Sequence, residues 1–525
     1  MSQRNRNPWL GLVFVCVSLL VISLDNTILN VALPAISREL GASASELQWI
    51  VDSYILVFAA MLLTMGSIGD RLGRKRALQL GVAWFGVFSL MAALSTSVGM
   101  LIAARALLGI GGATIMPATL SLITASFRDP KERAQAIAVW AAIFGLGLGV
   151  GPLLGGFLLE HFEWNAVFFI NLPVVIVSLI GGQLYLSESK DEHAPSPDFP
   201  GVLLSITGLF ALVYGIIEAG SDGWGAAHVL AAFAAAAVLL TIFFWWENRA
   251  SNAMLPLYLF RNMSFTGANL AMTLMMFGMF GATFFLSQYF QSVQKYSALE
   301  SGIRMFPMSM VIMFAASNSA RIAARLGNKL TVGIGFMIAA SGMFYLSQFS
   351  TAGASYLTIL LGLVIMGAGM GTAMSPATNS IMASVPVRKA GVGSAMNDTT
   401  RQVGGALGIA VLGTLMNHRY LREIDSLKTV VPPQAYDAVS NSIQGAHGVA
   451  ARIGGPAAQT IIEAADKAFV SGMTEAMFVA SLIMLGAGLL TFVLLPSEAS
   501  CIEPECEQVP EPVAEMGASA PVTGD

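Results

Sequence analysis

The sequence predicts an all-α polytopic membrane protein with fourteen transmembrane helices, and three observations lead to this fold class. Of the 525 residues, 55% are hydrophobic and only 11% are charged, whereas roughly 25% are charged in a typical soluble domain. The mean hydropathy is +0.70. The apolar stretches are continuous and do not alternate with polar residues, which excludes a transmembrane β-barrel.

The same composition excludes several other classes of protein. A chain this apolar is neither disordered nor a secreted disulfide scaffold. Its net charge of −4 offers no basic surface for nucleic acid. The three cysteines are Cys16, inside an apolar run, and Cys501 and Cys506 near the end of the chain. Because no histidine stands near the last two, we expect neither a disulfide framework nor a metal site.

The apolar runs have the length that a bilayer requires. A hydrocarbon core of about 30 Å needs about 20 apolar residues per helix. The first run is too long for a cleavable signal peptide, contains Asp25 and lacks a small-residue cleavage site. The fourteen predicted spans are residues 9–31, 49–68, 78–95, 100–124, 135–159, 166–186, 199–219, 227–247, 265–291, 302–320, 331–348, 355–383, 394–417 and 469–495.

The positions of lysine and arginine predict the orientation. If the N-terminus is cytoplasmic, seventeen of these residues lie in the N-terminal tail and the inner loops. Only Arg38, Lys295 and Arg304 then lie in the short outer loops. The segment 418–468 is long enough to escape the charge rule. We therefore expect both termini in the cytoplasm and a disordered acidic tail at 497–525.

Two short matches indicate an internal repeat. Pro117 in span 4 and Pro376 in span 12 stand in the strings Met-Pro-Ala-Thr and Ser-Pro-Ala-Thr, and the loop around Gly73 resembles the loop around Gly327. The separations of 259 and 254 residues fit two six-helix bundles with two inserted helices between them. Parallel repeats of this kind indicate a secondary transporter whose site lies near the bilayer midplane. The predicted units are an N-terminal bundle at 9–186, the inserted helices at 199–247, and a C-terminal bundle at 265–495 with an external loop at 418–468.

Four stretches carry a resemblance to a known family. The loop Gly66–Lys75 reads Gly-Ser-Ile-Gly-Asp-Arg-Leu-Gly-Arg-Lys, and Leu24–Pro34 reads Leu-Asp-Asn-Thr-Ile-Leu-Asn-Val-Ala-Leu-Pro. Arg105 follows Leu-Ile-Ala-Ala in span 4, and Gly147–Gly156 in span 5 reads Gly-Leu-Gly-Val-Gly-Pro-Leu-Leu-Gly-Gly. These stretches resemble the signatures of the major facilitator superfamily, and within it those of the fourteen-span drug:proton antiporters. The resemblance covers roughly residues 9–496.

The resemblance implies a major facilitator fold and a proton-coupled multidrug exporter of the cell membrane that works by alternating access. It implies lipophilic, mainly monovalent cationic substrates such as quaternary ammonium compounds, dyes and biocides. We expect no enzymatic activity, no cofactor beyond the proton gradient as energy source, no bound metal, no nucleic-acid partner, and a monomer. Phosphate-binding glycine–lysine loops and nucleophile elbows do not occur in the cytoplasmic segments, which argues against ATP-driven transport and catalysis. An exporter dedicated to one metabolite, lipid or amphiphile is the alternative.

The loop after span 2 is interpreted as a conformational latch. Asp70 can lie near a helix N-terminus while the arginines bridge to a neighbouring helix, and such contacts would have to break when the inner side opens. Positive-inside anchoring is the alternative. The residues assigned to this latch are Gly66, Asp70, Arg71, Gly73 and Arg74.

Span 5 carries a face of small residues. Gly147, Gly151 and Gly155 repeat at four-residue intervals, with Pro152 and Gly156 beside them. Small faces let helices approach closely, and proline bends the helix where they do so. The resemblance assigns this string to antiport, and simple helix packing is the alternative.

Charged side chains at bilayer depth are costly unless they are paired or hydrated, so each is a functional candidate. Asp25 lies centrally in span 1 and is a candidate proton- or cation-binding group. Asp52, near the outer end of span 2, either attracts cations or caps a helix. Arg105 is permanently charged, and it either tunes a nearby carboxylate or ties helices together.

Span 13 begins with a polar string that contains Asp398 and Arg401. These residues are three apart, so they share a helix face and can pair. A carboxylate whose protonation changes with its exposure would suit a proton-coupled pump. A permanent structural ion pair fits the same spacing.

Aromatic residues are candidates to line a central cavity, because aromatic faces attract cations. Methionines in spans 9 and 10 would adapt to varied cargo shapes. Some relatives that export divalent cations carry an acid in span 10, where this sequence has Ile312, so dicationic substrates are not expected. Core packing is the alternative for each aromatic candidate. The candidates are Trp49, Tyr54, Trp140, Phe144, Phe284, Phe285 and Tyr289.

Overall fold

The structure, a computed structural model, describes residues 8–127, 129–190, 198–250, 257–385, 390–429 and 431–496. Within these ranges the regular elements are helices, as predicted. The predicted tail at 497–525 lies outside the described residues, as do the basic residues Arg4, Arg6, Arg128, Arg388 and Lys389.

The N-terminal half contains six membrane-spanning units. The predicted sixth span is formed by two short helices, α6 and α7, joined at Ile170. The helices are α1 (Pro8–Leu40), α2 (Ala44–Leu72), α3 (Arg74–Ala93), α4 (Val98–Ser126), α5 (Pro130–His161), α6 (Ala166–Phe169) and α7 (Asn171–Tyr185).

Two inserted helices and the C-terminal half follow. One π-helical turn, Tyr289–Val293, extends the first helix of the C-terminal half. The helices are α8 (Phe199–Asp222), α9 (Ala227–Glu247), α10 (Met263–Gln288), α11 (Ala298–Phe349), α12 (Tyr356–Ala383), α13 (Ala390–Ile424), α14 (Pro433–Asn441), α15 (Ile443–Ile453) and α16 (Gly455–Leu494).

Fourteen spans are compatible with these helices. Twelve helical segments of the described chain are long and apolar enough to cross a membrane. Helix α11 supplies two of them, one on each side of Gly327. Helices α5 and α13 lie where spans 5 and 13 were predicted and have 32 and 35 residues. Each is long enough to span at 1.5 Å per residue.

The two halves use matching local signals at matching places. Ser43 and Ser297 each form a capping box with the glutamate three residues later, at the starts of α2 and α11. Gly73 and Gly327 each have a positive φ, 110° and 81°, where the chain turns between consecutive spans. Both pairs are 254 residues apart. A residue with a Cβ is strained at positive φ, so the glycine of the repeated loop is required by its turn.

The bundle has two ends. We call the end with the turns at Gly73 and Gly327 the basic end, and the end where Ser43 and Ser297 cap their helices the far end. The described contacts between the halves lie toward the far end. Ser287 on α10 donates to the Asn30 carbonyl on α1 at 2.6 Å, and α5 packs against the first part of α11. The halves are therefore joined at the far end.

The segment 418–468, predicted as an external loop, is helical along most of its described length. It contains the last turns of α13, the short helices α14 and α15, and the start of α16. Ser442, the N-cap of α15, lies 3.3 Å from Ser37 at the end of α1 (Oγ to Oγ). The segment thus covers the far end and contacts the N-terminal half.

Candidate functional site

The most deeply buried charges form an ion pair in the N-terminal half. Arg105 Nη1 on α4 lies 2.5 Å from Asp25 Oδ2 on α1, and the two side chains are 1% and 0% exposed. The Nε of Arg105 donates to the Ile50 carbonyl at 3.1 Å. The guanidinium lies 4.4 Å from the centre of the Tyr54 ring. The structure thus gives Arg105 both an anionic partner and a carbonyl, together with an aromatic face.

The other carboxylate oxygen of Asp25 faces α7. Asn171 Nδ2 lies 3.5 Å from Asp25 Oδ1 and 3.0 Å from Ser89 Oγ. Ser89 in turn donates to the Phe168 carbonyl at 2.9 Å. Asn171 is 1% exposed. Sequence reasoning missed this residue because asparagine carries no charge, although a polar residue at the start of an apolar span was a usable signal.

Asp52 is buried on α2 without a described partner. Its side chain is 0% exposed, and neither carboxylate oxygen has a hydrogen-bond partner among the described residues. Gln48, one turn earlier, packs against α13 where Gly413 has no side chain, and its Oε1 also lacks a described partner. Asp52 therefore lies inside the helix packing and does not cap a helix end.

Asp398 and Arg401 occupy a different environment, in the basic-end part of α13. Arg401 Nη1 lies 3.9 Å from Asp398 Oδ1, and the side chains keep 18% and 16% exposure. Thr400 Oγ1 lies 3.3 Å from Asn269 Oδ1 on α10. This pair is longer and more accessible than the pair in the N-terminal half.

Several polar atoms around Asp398 have unused hydrogen-bonding capacity. Asn397 Oδ1, Thr399 Oγ1 and Gln402 Oε1 are buried and have no hydrogen-bond partner among the described residues. Buried polar groups in native proteins are nearly always satisfied by protein, water or a ligand. This polar cluster of residues 397–402 is thus suited to bind water, a proton or a polar part of a ligand.

The aromatic cavity candidates lie mainly in helix packing. Trp49 stacks on Phe210 of α8 at 5.6 Å. Tyr54 is fully buried under Arg105. Trp140 is half-buried, and its indole Nε1 donates to Thr119 Oγ1 at 3.0 Å.

The candidates on α10 and its π turn are buried as well. Phe284 and Phe285 are 3% and 0% exposed, and Tyr289 is fully buried and donates to the Thr351 carbonyl at 2.7 Å. The side chain of Phe144 lies outside the described part of the structure. In this conformation the described candidates contact neighbouring helices, and this packing removes much of their large apolar surface from lipid and water.

The basic loop after α2 makes its described contacts inside the N-terminal half. Arg74 Nε donates to Asp70 Oδ1 at 2.7 Å. Glu188, just after α7, accepts from the backbone N–H groups of Lys75 and Arg76 at the start of α3, at 3.0 and 3.2 Å. A carboxylate at a helix N-terminus is favourable. Glu188 is thus a second residue that sequence reasoning missed.

Two glycines at this turn let other parts of the N-terminal half approach the backbone closely. A Cβ on Gly73 would lie 2.7 Å from Glu188 Oε1, and one on Gly66 would lie 3.4 Å from Pro117 on α4. Arg71 is exposed at the same turn. The loop is therefore packed against α4 and the end of α7 with no space for larger residues at Gly73.

The glycine string of α5 faces two different helices. Gly147 and Gly151 pack against Ser23 and Thr27 of α1, and a Cβ on Gly155 would lie 2.7 Å from Ile28 Cγ1. On this side the string has no side chains, which lets α5 approach α1 closely.

Two other residues of the string face the C-terminal half. A Cβ on Gly156 would lie 2.5 Å from Leu299 Cα and 2.6 Å from the Ala298 carbonyl of α11. The carbonyl of Pro152 meets Gly302 in the same contact. The string therefore joins α5 to its own half on one side and to the opposite half on the other.

A cluster of possible metal ligands lies apart from these sites. Glu218, Asp222 and His228 have ligand atoms within 4.8 Å of one another, and the last two residues are exposed. His228 Nε2 lies 3.2 Å from Asp222 Oδ2. Exposed acidic groups of this kind are common on proteins without a metal ion.

Sequence comparison places the chain among transport proteins. Residues 15–409 match the profile of the Major Facilitator Superfamily. The chain is 37% identical over 479 residues to the multidrug efflux pump LfrA of Mycolicibacterium smegmatis, covering 91% of this chain and 94% of that protein. It is 34% identical to the tetracenomycin C resistance and export protein of Streptomyces glaucescens, covering 97% and 96%. It is 33% identical to the methyl viologen resistance protein SmvA of Salmonella typhimurium, covering 92% and 97%.

Structural comparison agrees on the fold. A bacterial homologue of the human lysosomal transporter Spinster, in an inward-facing and unoccupied conformation, aligns with a TM-score of 0.67 and 17% identity over 93% of this chain and 97% of that chain. A D-xylose–proton symporter aligns with a TM-score of 0.60 and 11% identity, over 94% and 99%. At these identities the likeness establishes the architecture alone.

Proposed function

The chain belongs to the Major Facilitator Superfamily, and we propose that it is a proton-coupled multidrug exporter of the cell membrane whose cargo is lipophilic, mainly monovalent cations. Relatives with over 30% identity across nearly the whole chain are named as a multidrug efflux pump and as resistance and export proteins. A likeness over 91–97% of this chain supports the same class of activity here.

The observation that carries the proposal is the difference between the two charged pairs. Asp25 and Arg105 are sealed, with 0% and 1% exposure, whereas Asp398 and Arg401 keep 16% and 18% and lie 3.9 Å apart. Ionisable groups inside a membrane are costly and mark ion or substrate pathways. In the conformation joined at the far end, we propose that Asp398 is the carboxylate that exchanges protons and meets cationic cargo.

Asp25 takes part in the cycle under this proposal only after its surroundings change. Its carboxylate is held by Arg105 on one side and by Asn171 on the other. Opening of the far end moves α1 relative to α10, since the Ser287–Asn30 hydrogen bond must break. We propose that this movement exposes Asp25 and Asp52 to the far-end solution, so that protons enter there and cargo leaves.

The basic loop and the glycine string act as conformational elements in the proposed cycle. While the halves are joined at the far end, the loop residues Asp70 and Arg74 bond to each other within the N-terminal half. When the basic end closes, they exchange this contact for one with the C-terminal half. Gly156 allows α5 to touch α11 at the far end. Alternating access then needs one contact to form as the other breaks.

Orientation, energy source and assembly complete the proposal. Lysine and arginine concentrate in the loops of the basic end, so by the positive-inside rule that end is cytoplasmic and both termini lie inside. The energy source is the proton gradient, without a cofactor, and the protein acts as a monomer. The far end then faces outward.

One relative favours a narrower function. The Streptomyces glaucescens protein, 34% identical to this chain, is named for the export of a single compound. A dedicated exporter would share the fold, the ion pairs and the coupling, and would differ only in the walls of the cargo site. This second candidate predicts a response to one chemical type.

Substrate-induced proton release from the detergent-solubilised protein tests the proposal. A panel of monovalent cations, neutral compounds and a dication such as methyl viologen would be added to weakly buffered protein. Proton release with several unrelated monovalent cations supports a multidrug exporter, and release with one compound class supports the dedicated exporter. Release by methyl viologen would contradict the expectation drawn from Ile312, which packs against Gly367 on α12.

A matched pair of variants identifies the responding carboxylate. Asp398→Asn is expected to abolish cargo-induced proton release. Asp222→Asn, which removes a carboxylate that is 54% exposed at the far end, is expected to leave it unchanged. Full proton release from the Asp398→Asn protein would show that another group couples transport.

A further inference from the structure

The first inserted helix, α8, packs against one helix from each half of the protein. These are α2 of the N-terminal half and α13 of the C-terminal half. The same two helices also meet each other near the far end, where the side chain of Gln48 on α2 lies over Gly413 on α13. When the far end opens, α2 and α13 separate, so α8 can keep its contacts with only one of them.

The contact between α8 and α13 is close and dry. Thr414 Oγ1 on α13 donates to the Ile216 carbonyl of α8 at 2.7 Å, and the two residues are 3% and 8% exposed. Gly220 of α8 faces the same threonine, since a Cβ there would lie 3.0 Å from Thr414 Cγ2. Small residues permit such close approach of helices inside a membrane. Separation of α8 from α13 would therefore expose a polar backbone and hydroxyl group to apolar surroundings, which is unfavourable.

The contact between α8 and α2 depends on one tryptophan. Trp49 of α2 stacks on Phe210 with ring centres 5.6 Å apart and planes 13° apart, and its ring centre lies 6.3 Å from that of Tyr214. The indole of Trp49 also hydrogen-bonds the Glu218 carboxylate. Trp49, Phe210 and Glu218 are half-buried, and Tyr214 is exposed. One side chain of the N-terminal half thus contacts three residues of α8.

The two contacts differ in what their separation costs. At the half-buried contact with α2, water can satisfy the indole N–H of Trp49 and the Glu218 carboxylate once they part. What is lost there is mainly the stacking of one aromatic pair. Thr414 and Ile216 are buried and have no comparable access to water. The contact with α2 is therefore the one that opens more easily.

We propose that α8 moves with α13 as part of the C-terminal half, and that Trp49 is a releasable contact that holds α2 against α8 only while the far end is joined. The inserted helices then cover the side of the far end where α2 meets α13. Because its partners on α8 are in place only in the joined state, Trp49 stabilises that state over the open one. The inference rests on the proposed function only in that the far end opens during the cycle.

Distances between pairs of spin labels test this proposal. The labels are attached to introduced cysteines at the far ends of the three helices, in full-length protein whose three native cysteines are replaced by serine. Pulsed electron paramagnetic resonance then measures each distance in liposomes without cargo. The pairs are Ala44→Cys with His418→Cys for α2 and α13, Asp222→Cys with His418→Cys for α8 and α13, and Ala44→Cys with Asp222→Cys for α2 and α8.

Trp49→Ala is expected to increase the share of molecules with long α2–α13 and α2–α8 distances and to leave the α8–α13 distance unchanged. The ratio of open to joined molecules should rise about tenfold, the upper range for loss of one aromatic pair. Phe210→Ala removes the α8 side of the same stack and should act in the same direction. This second variant decides the question if Trp49→Ala does not fold.

Trp224→Ala is the matched control. Its indole lies at the same end of the protein, but it stacks on Phe233 of α9 at 6.0 Å between ring centres. Loss of this ring leaves the contact between α8 and α2 in place. All three distances are therefore expected to match those of the protein with both tryptophans.

Two results would overturn the proposal. An α8–α13 distance that lengthens together with the α2–α13 distance would show that α8 stays with the N-terminal half. Unchanged distances in Trp49→Ala and Phe210→Ala would show that the stack does not hold the far end, and a lowered melting temperature would then assign Trp49 to packing alone. Both results leave the proposed function intact, because the measurement uses neither cargo nor a proton gradient.

Discussion

Arg105 Nη1 and Asp25 Oδ2 meet at 2.5 Å between α4 and α1, and both side chains are shielded from solvent. An uncompensated charge at this depth would be strongly unfavourable, so removal of either residue would leave the other buried without a partner of opposite charge. The pair also joins two helices that carry different family signatures. Asp25 therefore has a structural role in this conformation in addition to any role in proton transfer.

Asp25→Asn is expected to abolish proton-driven export and to lower stability. The amide cannot titrate, and the stranded Arg105 typically costs about 3–5 kcal/mol. The measurements are proton-driven ethidium accumulation in inverted vesicles and the melting temperature. A second variant, Asp25→Asn/Arg105→Gln, should recover stability without recovering export. Export by that double variant would remove Asp25 from the coupling mechanism.

Asn171→Leu is expected to reduce the export rate roughly tenfold and to change its pH profile. The substitution removes the donor to Asp25 Oδ1, and a hydrogen bond to a charged group is worth about 1.5–3 kcal/mol. Asn171 acts as a positioning residue here. Ser89→Ala, which removes the other partner of Asn171 without touching Asp25, is the control. If both variants lose only melting temperature and keep the wild-type pH profile, Asn171 has a purely structural role.

Asp398→Asn is expected to flatten the pH dependence of export while leaving the melting temperature close to wild type. The side chain is partly exposed and 3.9 Å from Arg401, so the pair contributes little to folding. A structural pair makes the opposite prediction. Each of Asp398→Asn and Arg401→Ala would then melt earlier, and the double variant would regain both stability and pH-dependent export.

Asp70→Asn is expected to slow turnover while cargo affinity remains near wild type. Asp70 accepts from Arg74 at the basic end, far from Asp398 in sequence and on a different helix. Loss of the carboxylate weakens the proposed contact between the loop and the C-terminal half, which forms as the basic end closes. Turnover in liposomes and equilibrium binding of ethidium are compared. A matching loss of affinity and turnover would assign Asp70 to the cargo site.

Gly156→Ala is expected to favour opening of the far end. The added Cβ would lie 2.5 Å from Leu299 Cα, and overpacking of this kind typically costs about 1–3 kcal/mol. The cost falls only on the state in which α5 touches α11. Labelling of a single cysteine introduced at Ser297 reports far-end opening. Gly99→Ala, which has nothing within 4 Å of its added Cβ, should leave the labelling rate unchanged.

Much of the fold was predictable because membrane helices obey local rules. A run of apolar residues must form a helix in lipid, since its backbone polar groups have no other partners. The repeated loop is a further case. The similar strings around Gly73 and Gly327 predicted equivalent turns, and both glycines have positive φ. The helical character of 418–468 was not predictable, because that segment lies outside the apolar runs and its helices are short.

The site was predictable as a set of residues but not as an arrangement. Charged residues inside apolar runs stand out in any sequence, so Asp25, Asp52, Arg105, Asp398 and Arg401 were identified without a structure. Sequence spacing also placed Asp398 beside Arg401 on one helix face. Glu188 and Asn171 were missed because their importance comes from which helix end or carboxylate they face.

The helical membrane fold, the repeat and the charged residues at bilayer depth follow from the amino-acid sequence, because hydropathy and the cost of charge in lipid act through local composition. Which charges meet depends instead on how the helices pack. Asp25 and Arg105 are eighty residues apart, and their contact depends on how α1 packs against α4. Helix packing also makes one pair sealed and the other accessible. The exposure of a side chain depends on the packing of several helices, so it cannot be deduced from the sequence of one segment.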